Sequence, residues 1–372
     1  MLSQAAIPFF NYPAMFSERR DEYMAAIESC LERGAFIMQQ DLVDFENELA
    51  AHLGVKHAIG VADGTMALTI ALRLANVQPG DEVIVPSHTF VATAAAVHHV
   101  GAEPVLCDCG PDHLIDVESA HTMLTAKTKA IMPVQLNGRV ADMDAVEAFA
   151  NEHSLQIVED SCQAMGAKFR DRYAGTFGVA GSFSFFPAKT LGCFGDGGGL
   201  IIDDDDLAAQ ARIYRDHGRN PETGKVDFFG HNARLDNVQA AVLRIKLKHY
   251  NEAVAARRRI AALYQTRLGD VNELVLPPAP DTDPRHYDVF QNYEIEAERR
   301  DELRAYLSAQ NIGTILQWGG SMIHQFDGLG LRHHAPFAEK LSTRFMMLPL
   351  HHLLTDDEVN RVCDTIIAFY QN

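Results

Sequence analysis

Long apolar runs are missing from this 372-residue chain: no stretch approaches the roughly 18 to 20 residues needed to cross a bilayer. Residues 1–14 lack a basic stretch followed by an apolar one, so no signal peptide is expected. Basic charge is scarce too, with 32 Lys plus Arg against 50 Asp plus Glu and a formal net charge of −18. A nucleic-acid partner calls for a basic face, which this balance disfavours while leaving room for a small basic pocket. The six cysteines (Cys30, Cys107, Cys109, Cys162, Cys193, Cys363) are too scattered for a disulfide framework, and a cytoplasmic setting is expected. Cys107 and Cys109 flank one residue without a second pair to complete a zinc set. The doublets His98-His99, His333-His334 and His351-His352 lack the helical spacing of a ligand pair around a carboxylate, so no metal is expected.

What is present is an ordinary globular composition, 47% apolar and 22% charged. Between about residues 55 and 202, short β-branched or apolar runs alternate with helical patterns. Strand-like runs fall at 57–61, 82–86, 103–106, 130–134 and 156–160, with helices expected over 66–74 and 144–152. This rhythm predicts an α/β sheet with many parallel strands. The runs 181–185 and 199–202 are expected to close it as antiparallel members. Residues 232–267 read as one or two long helices, followed by a Pro-rich connection at 276–284 and helices at 299–310 and 356–370. The expected division is a large domain over 1–250, including an N-terminal segment, and a smaller C-terminal α+β domain over 251–372.

Three local signals carry chemistry. Ala62-Asp63-Gly64-Thr65 lies between a strand and a helix start, where exposed N–H groups, a glycine and a hydroxyl suit a phosphate. Asp160, in Val158-Glu159-Asp160-Ser161-Cys162-Gln163, places a carboxylate at the end of a buried strand, where it could pair with a protonated heterocyclic nitrogen. Lys189 sits in Ser184-Phe185-Phe186-Pro187-Ala188-Lys189-Thr190-Leu191-Gly192, apolar surroundings that would lower its pKa and free a nucleophilic amine. The five glycines between Gly192 and Gly199 do not spell a dinucleotide fingerprint, because Leu200 stands where its last glycine belongs; they are expected to let the backbone pass close to a ligand. A phosphate cup, a carboxylate for a ring nitrogen and a lysine for a Schiff base are together what pyridoxal 5'-phosphate requires.

The segments Asp63-Gly64-Thr65-Met66-Ala67-Leu68, Val85-Pro86-Ser87-His88-Thr89-Phe90-Val91-Ala92-Thr93, Glu159-Asp160-Ser161-Cys162-Gln163-Ala164, 182–199 and Asn232-Ala233-Arg234-Leu235-Asp236-Asn237 resemble the DegT/DnrJ/EryC1/StrS family of sugar aminotransferases. The resemblance implies the fold type I, aspartate-aminotransferase-like architecture. It implies that Lys189 is the Schiff-base lysine and proton shuttle, that Asp160 keeps the pyridine nitrogen protonated, and that Phe90 stacks on one ring face. Gln163 would lie near the phenolic oxygen or the other face, and Gly64, Thr65 and Ser184 would cup the phosphate. Asn232 resembles an asparagine that reaches the phosphate from a neighbouring subunit, which implies a homodimer with a shared active site. A related branch that dehydrates keto sugars replaces the lysine by histidine; Lys189 therefore favours transamination, with glutamate as the usual donor.

The acceptor expected from the resemblance is a nucleotide-linked 4-keto-6-deoxyhexose. A 3-keto sugar, a keto-cyclitol or a regulatory role without turnover are the alternatives. Trp318 or His324, in Leu316-Gln317-Trp318-Gly319-Gly320-Ser321-Met322-Ile323-His324, is a candidate to line the sugar pocket, and Arg219, Lys225 and Arg234 are candidates for the diphosphate.

Overall fold

The computed structural model describes residues 6–371. Its largest sheet has eight strands in the order His57–Val61, Gly198–Ile202, Ala180–Ser184, Gln156–Asp160, Thr128–Ile131, Glu82–Pro86, Glu103–Cys107 and Arg332–His333. Within it only Gly198–Ile202 runs antiparallel to its neighbours. Of the two runs expected to be antiparallel, then, Ala180–Ser184 pairs parallel with Gln156–Asp160. The connection across 161–179 is long enough to carry the chain back to the starting end of the sheet, as parallel pairing demands.

The alternation of side chains sorts the strands' residues into two layers. Ala58, Ile84, Val105, Ile131, Ile157, Phe183 and Ile201 pack with the helices Gln40–Leu53, Met143–His153 and Asn237–Lys248. Ile59, Val85, Leu106, Met132, Val158 and Leu200 face the other way, towards Gly64–Leu74, Val91–His99 and Asp205–Arg215. With both faces covered, the strands read as the near-continuous apolar runs seen in the sequence.

A buried ion pair ties the sheet edge to these layers. Glu46 accepts the Gly60 N–H at 2.7 Å and pairs with Arg215, which also donates to the Gly60 carbonyl at 2.9 Å. Glu46→Ala would leave the buried guanidinium without its counter-charge. We expect a loss of about 3–5 kcal/mol, read as a lower denaturant midpoint with an unchanged slope.

A three-stranded antiparallel sheet, Leu274–Val275, Tyr293–Ala297 and Phe345–Leu348, packs with the helices Tyr250–Leu268, Arg300–Ala309 and Asp356–Gln371. The helical stretch expected over 232–267 breaks at His249, and its first five residues are extended instead. Asn232, Arg234 and Asp236 make bridges to Asp216, Val61 and Ile37, so their backbone groups are satisfied across the chain and the helix starts only at Asn237. Among the described residues no helix is long and apolar enough to cross a membrane.

Candidate active site

Three strands deliver their C-terminal ends to one cavity of about 450 Å³: Asp160 ends one strand, Ser184 ends a second, and Gly64 follows the third. This is where an open α/β sheet binds ligands, because the loops leaving the strand ends diverge there. Gly64, Thr65, Phe90, Asp160, Gln163, Ser184, Lys189 and Trp318 all line it, so residues as far apart in the chain as Gly64 and Trp318 meet in one cavity.

The helix Gly64–Leu74 opens on the cavity. Asp63 caps it by accepting the Met66 N–H at 2.8 Å, leaving the first-turn N–H groups of Gly64 and Thr65 without intrahelical partners. Together with the Thr65 and Ser184 hydroxyls, they form a donor set matched to a phosphate. Gly198 lets its strand pass close to the start of this helix: a Cβ there would stand 2.4 Å from the Asp63 carbonyl carbon. The glycine run thus differs from expectation. Gly197 borders the cavity, but Gly192 and Gly198 are small because protein backbone, not ligand, passes beside them.

The Asp160 carboxylate is fixed from two sides. The Thr93 hydroxyl donates to Oδ2 at 2.8 Å and the Cys162 N–H to Oδ1 at 3.2 Å, while Thr93 and Thr89 hydroxyls lie 2.7 Å apart. Lys189 follows Ser184 in a tight turn in which its N–H donates to the Phe186 carbonyl at 2.8 Å. Enclosure by protein pushes its amine below the ordinary lysine value, partly opposed by nearby Cys162 and Asp160. The Cys162 thiol is pushed far up by burial and by Asp160, which keeps it protonated and unreactive.

Phe90 leaves half its surface open to this space, with its ring 6.2 Å from that of Trp318 and inclined by 31°. Trp318 has a left-handed backbone (φ 50°), continued by Gly319 at φ 77°, and also packs on the core of the large sheet. Gln163 is locked in an amide network: its Oε1 accepts the Asn137 N–H at 2.8 Å, and its Nε2 donates to Gln317 at 3.3 Å.

The remaining expected residues lie elsewhere. His324 does not border the cavity; its Nδ1 meets the Ser87 hydroxyl and its ring stacks on His333 with centroids 4.8 Å apart, so its polar edge is engaged in packing loops together. Arg219 and Lys225 are exposed on the loop after Asp216, and Arg234 is spent on Asp216 at 3.1 Å and on Asn232 at 2.7 Å. Asn232 is itself exposed and outside this chain's cavity. Among the described residues that line the cavity, Lys189 is the one cation, beside the carboxylates Asp63, Asp160 and Asp196. Sequence reasoning missed Thr93, Cys162, Gln291, Asn292 and Gln317. Thr93 and Cys162 stand inside the segments that resemble the family, Thr93 three residues after Phe90 and Cys162 between Asp160 and Gln163. Gln291 and Asn292 had one visible signal, a polar pair interrupting the apolar run Val289-Phe290 to Tyr293.

The residues present therefore fit pyridoxal phosphate: a donor-rich cup, a fixed carboxylate, an aromatic lid and a neutral-leaning amine share one cavity. Known proteins agree. The family model for DegT/DnrJ/EryC1/StrS aminotransferases matches residues 17–367. A "pleiotropic regulatory protein" of Geobacillus stearothermophilus is 38% identical, over 98% of this chain and 99% of its own length. The dTDP-3-amino-3,4,6-trideoxy-alpha-D-glucose transaminase of Streptomyces venezuelae is 39% identical, over 97% of this chain and 95% of its own. The crystal structure of S. venezuelae DesV in complex with a ketimine intermediate superposes with a TM-score of 0.94 at 37% identity, covering 99% of this chain and all of that one. This fold is therefore the fold type I architecture of pyridoxal-phosphate aminotransferases. The chain belongs to the DegT/DnrJ/EryC1/StrS aminotransferase family, as a sugar aminotransferase whose cofactor is pyridoxal phosphate.

Proposed function

We propose that this enzyme moves an amino group from a donor, glutamate being the expected one, to C3 of a nucleotide-linked keto sugar. The observation that carries the chemistry is the convergence of Lys189, Asp160 and the Gly64–Thr65–Ser184 cup on one cavity. When bound, the cofactor supplies a carbonyl carbon that captures amines and a ring that withdraws electrons from the reacting bond. Lys189 would hold that carbon and would move the proton at its Nζ. Asp160, held by Thr93 and the Cys162 N–H, would pair with the ring nitrogen, while Thr65 and Ser184 would anchor the phosphate and Phe90 would cover one face.

A phosphate and a sugar-nucleotide diphosphate add several negative charges to a cavity that already holds three carboxylates. Cations and donors from outside this chain would offset them, which supports a homodimer in which Asn232 of one copy completes the cup of the other. Arg219 and Lys225 lie on the exposed loop before Asn232 and would approach the diphosphate in the same way. The six unpaired cysteines support a cytoplasmic setting.

The 3-amino product in the name of the Streptomyces relative favours C3 over the C4 acceptor first expected. The purified protein, loaded with pyridoxal phosphate and given L-glutamate, should convert a nucleotide-linked 3-keto sugar, and NMR of the product should place the new amine on C3. An amine on C4 would overturn the C3 reading and restore the 4-keto-6-deoxyhexose. The regulatory reading, favoured by the name of the Geobacillus relative, requires that no amino donor discharge into the cofactor at all. Donor-dependent loss of the yellow colour would exclude it.

A further inference from the structure

Two amides are buried where the chain enters the strand Tyr293–Ala297: Gln291 is 4% exposed and Asn292 is 7% exposed. Burying an amide is costly unless its donors and acceptor are bonded. Gln291 spends its amide entirely on the neighbours of Lys189. Its Oε1 accepts the Thr190 N–H at 2.7 Å, and its Nε2 donates to the Ala188 carbonyl at 2.8 Å. One planar group therefore spans the two peptide units flanking the lysine.

The segment carrying this amide is itself firmly held. Arg257, 3% exposed, donates to the carbonyls of Phe290, Gln291 and Leu350, each at 3.1 Å, and no carboxylate among the described residues pairs with it. Phe290 adopts φ 50°, a left-handed conformation costly for a bulky side chain. Gly138, at φ 91°, lets a neighbouring loop press against it: a Cβ there would stand 2.6 Å from the Gln291 nitrogen. A buried cation with no counter-ion among the described residues and a left-handed aromatic residue thus hold the backbone that carries this amide. The next residue, Asn292, donates to Gln163 Oε1 at 3.3 Å, so the same two residues brace the lysine turn and the cavity's amide network.

We propose that Gln291 is a positioning residue for Lys189, fixing the backbone from which the amine must both hold the cofactor and, after release, return to the proton it transfers. The inference rests on Lys189 being the Schiff-base lysine. The lysine side chain has four rotatable bonds, so once displaced its amine stays within reach only if its Cα does not wander; misplacement by ~1 Å can cost ~10²-fold in rate.

The experiment compares Gln291→Leu, which removes both bonds at similar volume, with Gln291→Glu, which keeps an acceptor for the Thr190 N–H. In Gln291→Leu, kcat should fall about 10- to 100-fold with KM for both substrates within about threefold. Hydrogen exchange at the Thr190 amide, measured without cofactor, should accelerate at least about tenfold while the helix Gly64–Leu74 keeps its protection. Gln291→Glu should recover slow exchange at Thr190. Unchanged exchange in Gln291→Leu, or a kcat within threefold of the parent, would overturn the proposal, as would a uniform loss of protection across the molecule in both variants. Borohydride reduction of the cofactor-loaded parent enzyme, followed by peptide mapping, tests the underlying reading separately: labelling of a lysine other than Lys189 would sink that reading whatever Gln291 does.

Discussion

Lys189→Ala is expected to lower kcat by at least about 10³-fold, because it would remove both the group proposed to hold the cofactor's reactive carbon and the base proposed to move the proton. Cofactor should still bind through the Gly64–Thr65–Ser184 cup, so equilibrium dialysis should find it retained while the yellow colour of the lysine adduct is lost. Turnover near the parent rate would refute the assignment. The wild-type amine adds a pH signature. Burial lowers the pKa of Lys189 below its ordinary value of 10.5, so the uncharged, nucleophilic form is populated at lower pH than for a free lysine. The rate of cofactor uptake by apoenzyme should rise with pH through that lowered pKa and level off before 10.5. A rate still climbing there would mean the lysine is not desolvated.

Asp160→Asn is expected to be the second largest loss, about 10²–10³-fold in kcat, comparable to removing one preorganised electrostatic group from an active site. The substitution preserves shape: an amide oxygen can still accept from the Thr93 hydroxyl, which sits 2.8 Å from Oδ2, so the fold should survive and the melting temperature should stay within a few degrees. What disappears is the negative charge proposed to face the ring nitrogen. Asp160→Ala would go further, leaving the Thr93 hydroxyl and the Cys162 N–H without their acceptor, with an added stability cost of about 1–3 kcal/mol. If Asp160→Asn turned over at the parent rate, the carboxylate would have only a structural role.

Much of the site could be read without coordinates because it is built from strand ends. Gly64, Asp160 and Ser184 each follow a short apolar run, and parallel strands in an α/β sheet end on one side, so three local motifs converge by topology alone. Lys189 was marked by an isolated charge among apolar and glycine residues. The substrate cations were not readable. Arg219 and Arg234 are surface residues whose charge signals solubility or an ion pair as readily as a ligand, and in this chain Arg234 is committed to Asp216. His324 shows the same ambiguity: a histidine after a glycine-flanked tryptophan looked functional, yet its ring packs against Ser87 and His333, whereas Trp318 does reach the cavity.

The sequence by itself carried the three local motifs that point to pyridoxal phosphate and mark Lys189 as the candidate Schiff-base lysine, because each motif is a run of residues adjacent in the chain. Only the tertiary structure decided what holds those residues still. Thr93 on Asp160, Asn137 and Gln317 on Gln163, and Gln291 on the lysine turn are hydrogen bonds between segments remote in sequence. A polar side chain's composition and spacing do not disclose its partner; burial does, since an amide or hydroxyl removed from water must find one, and the folded backbone alone settles which is within reach.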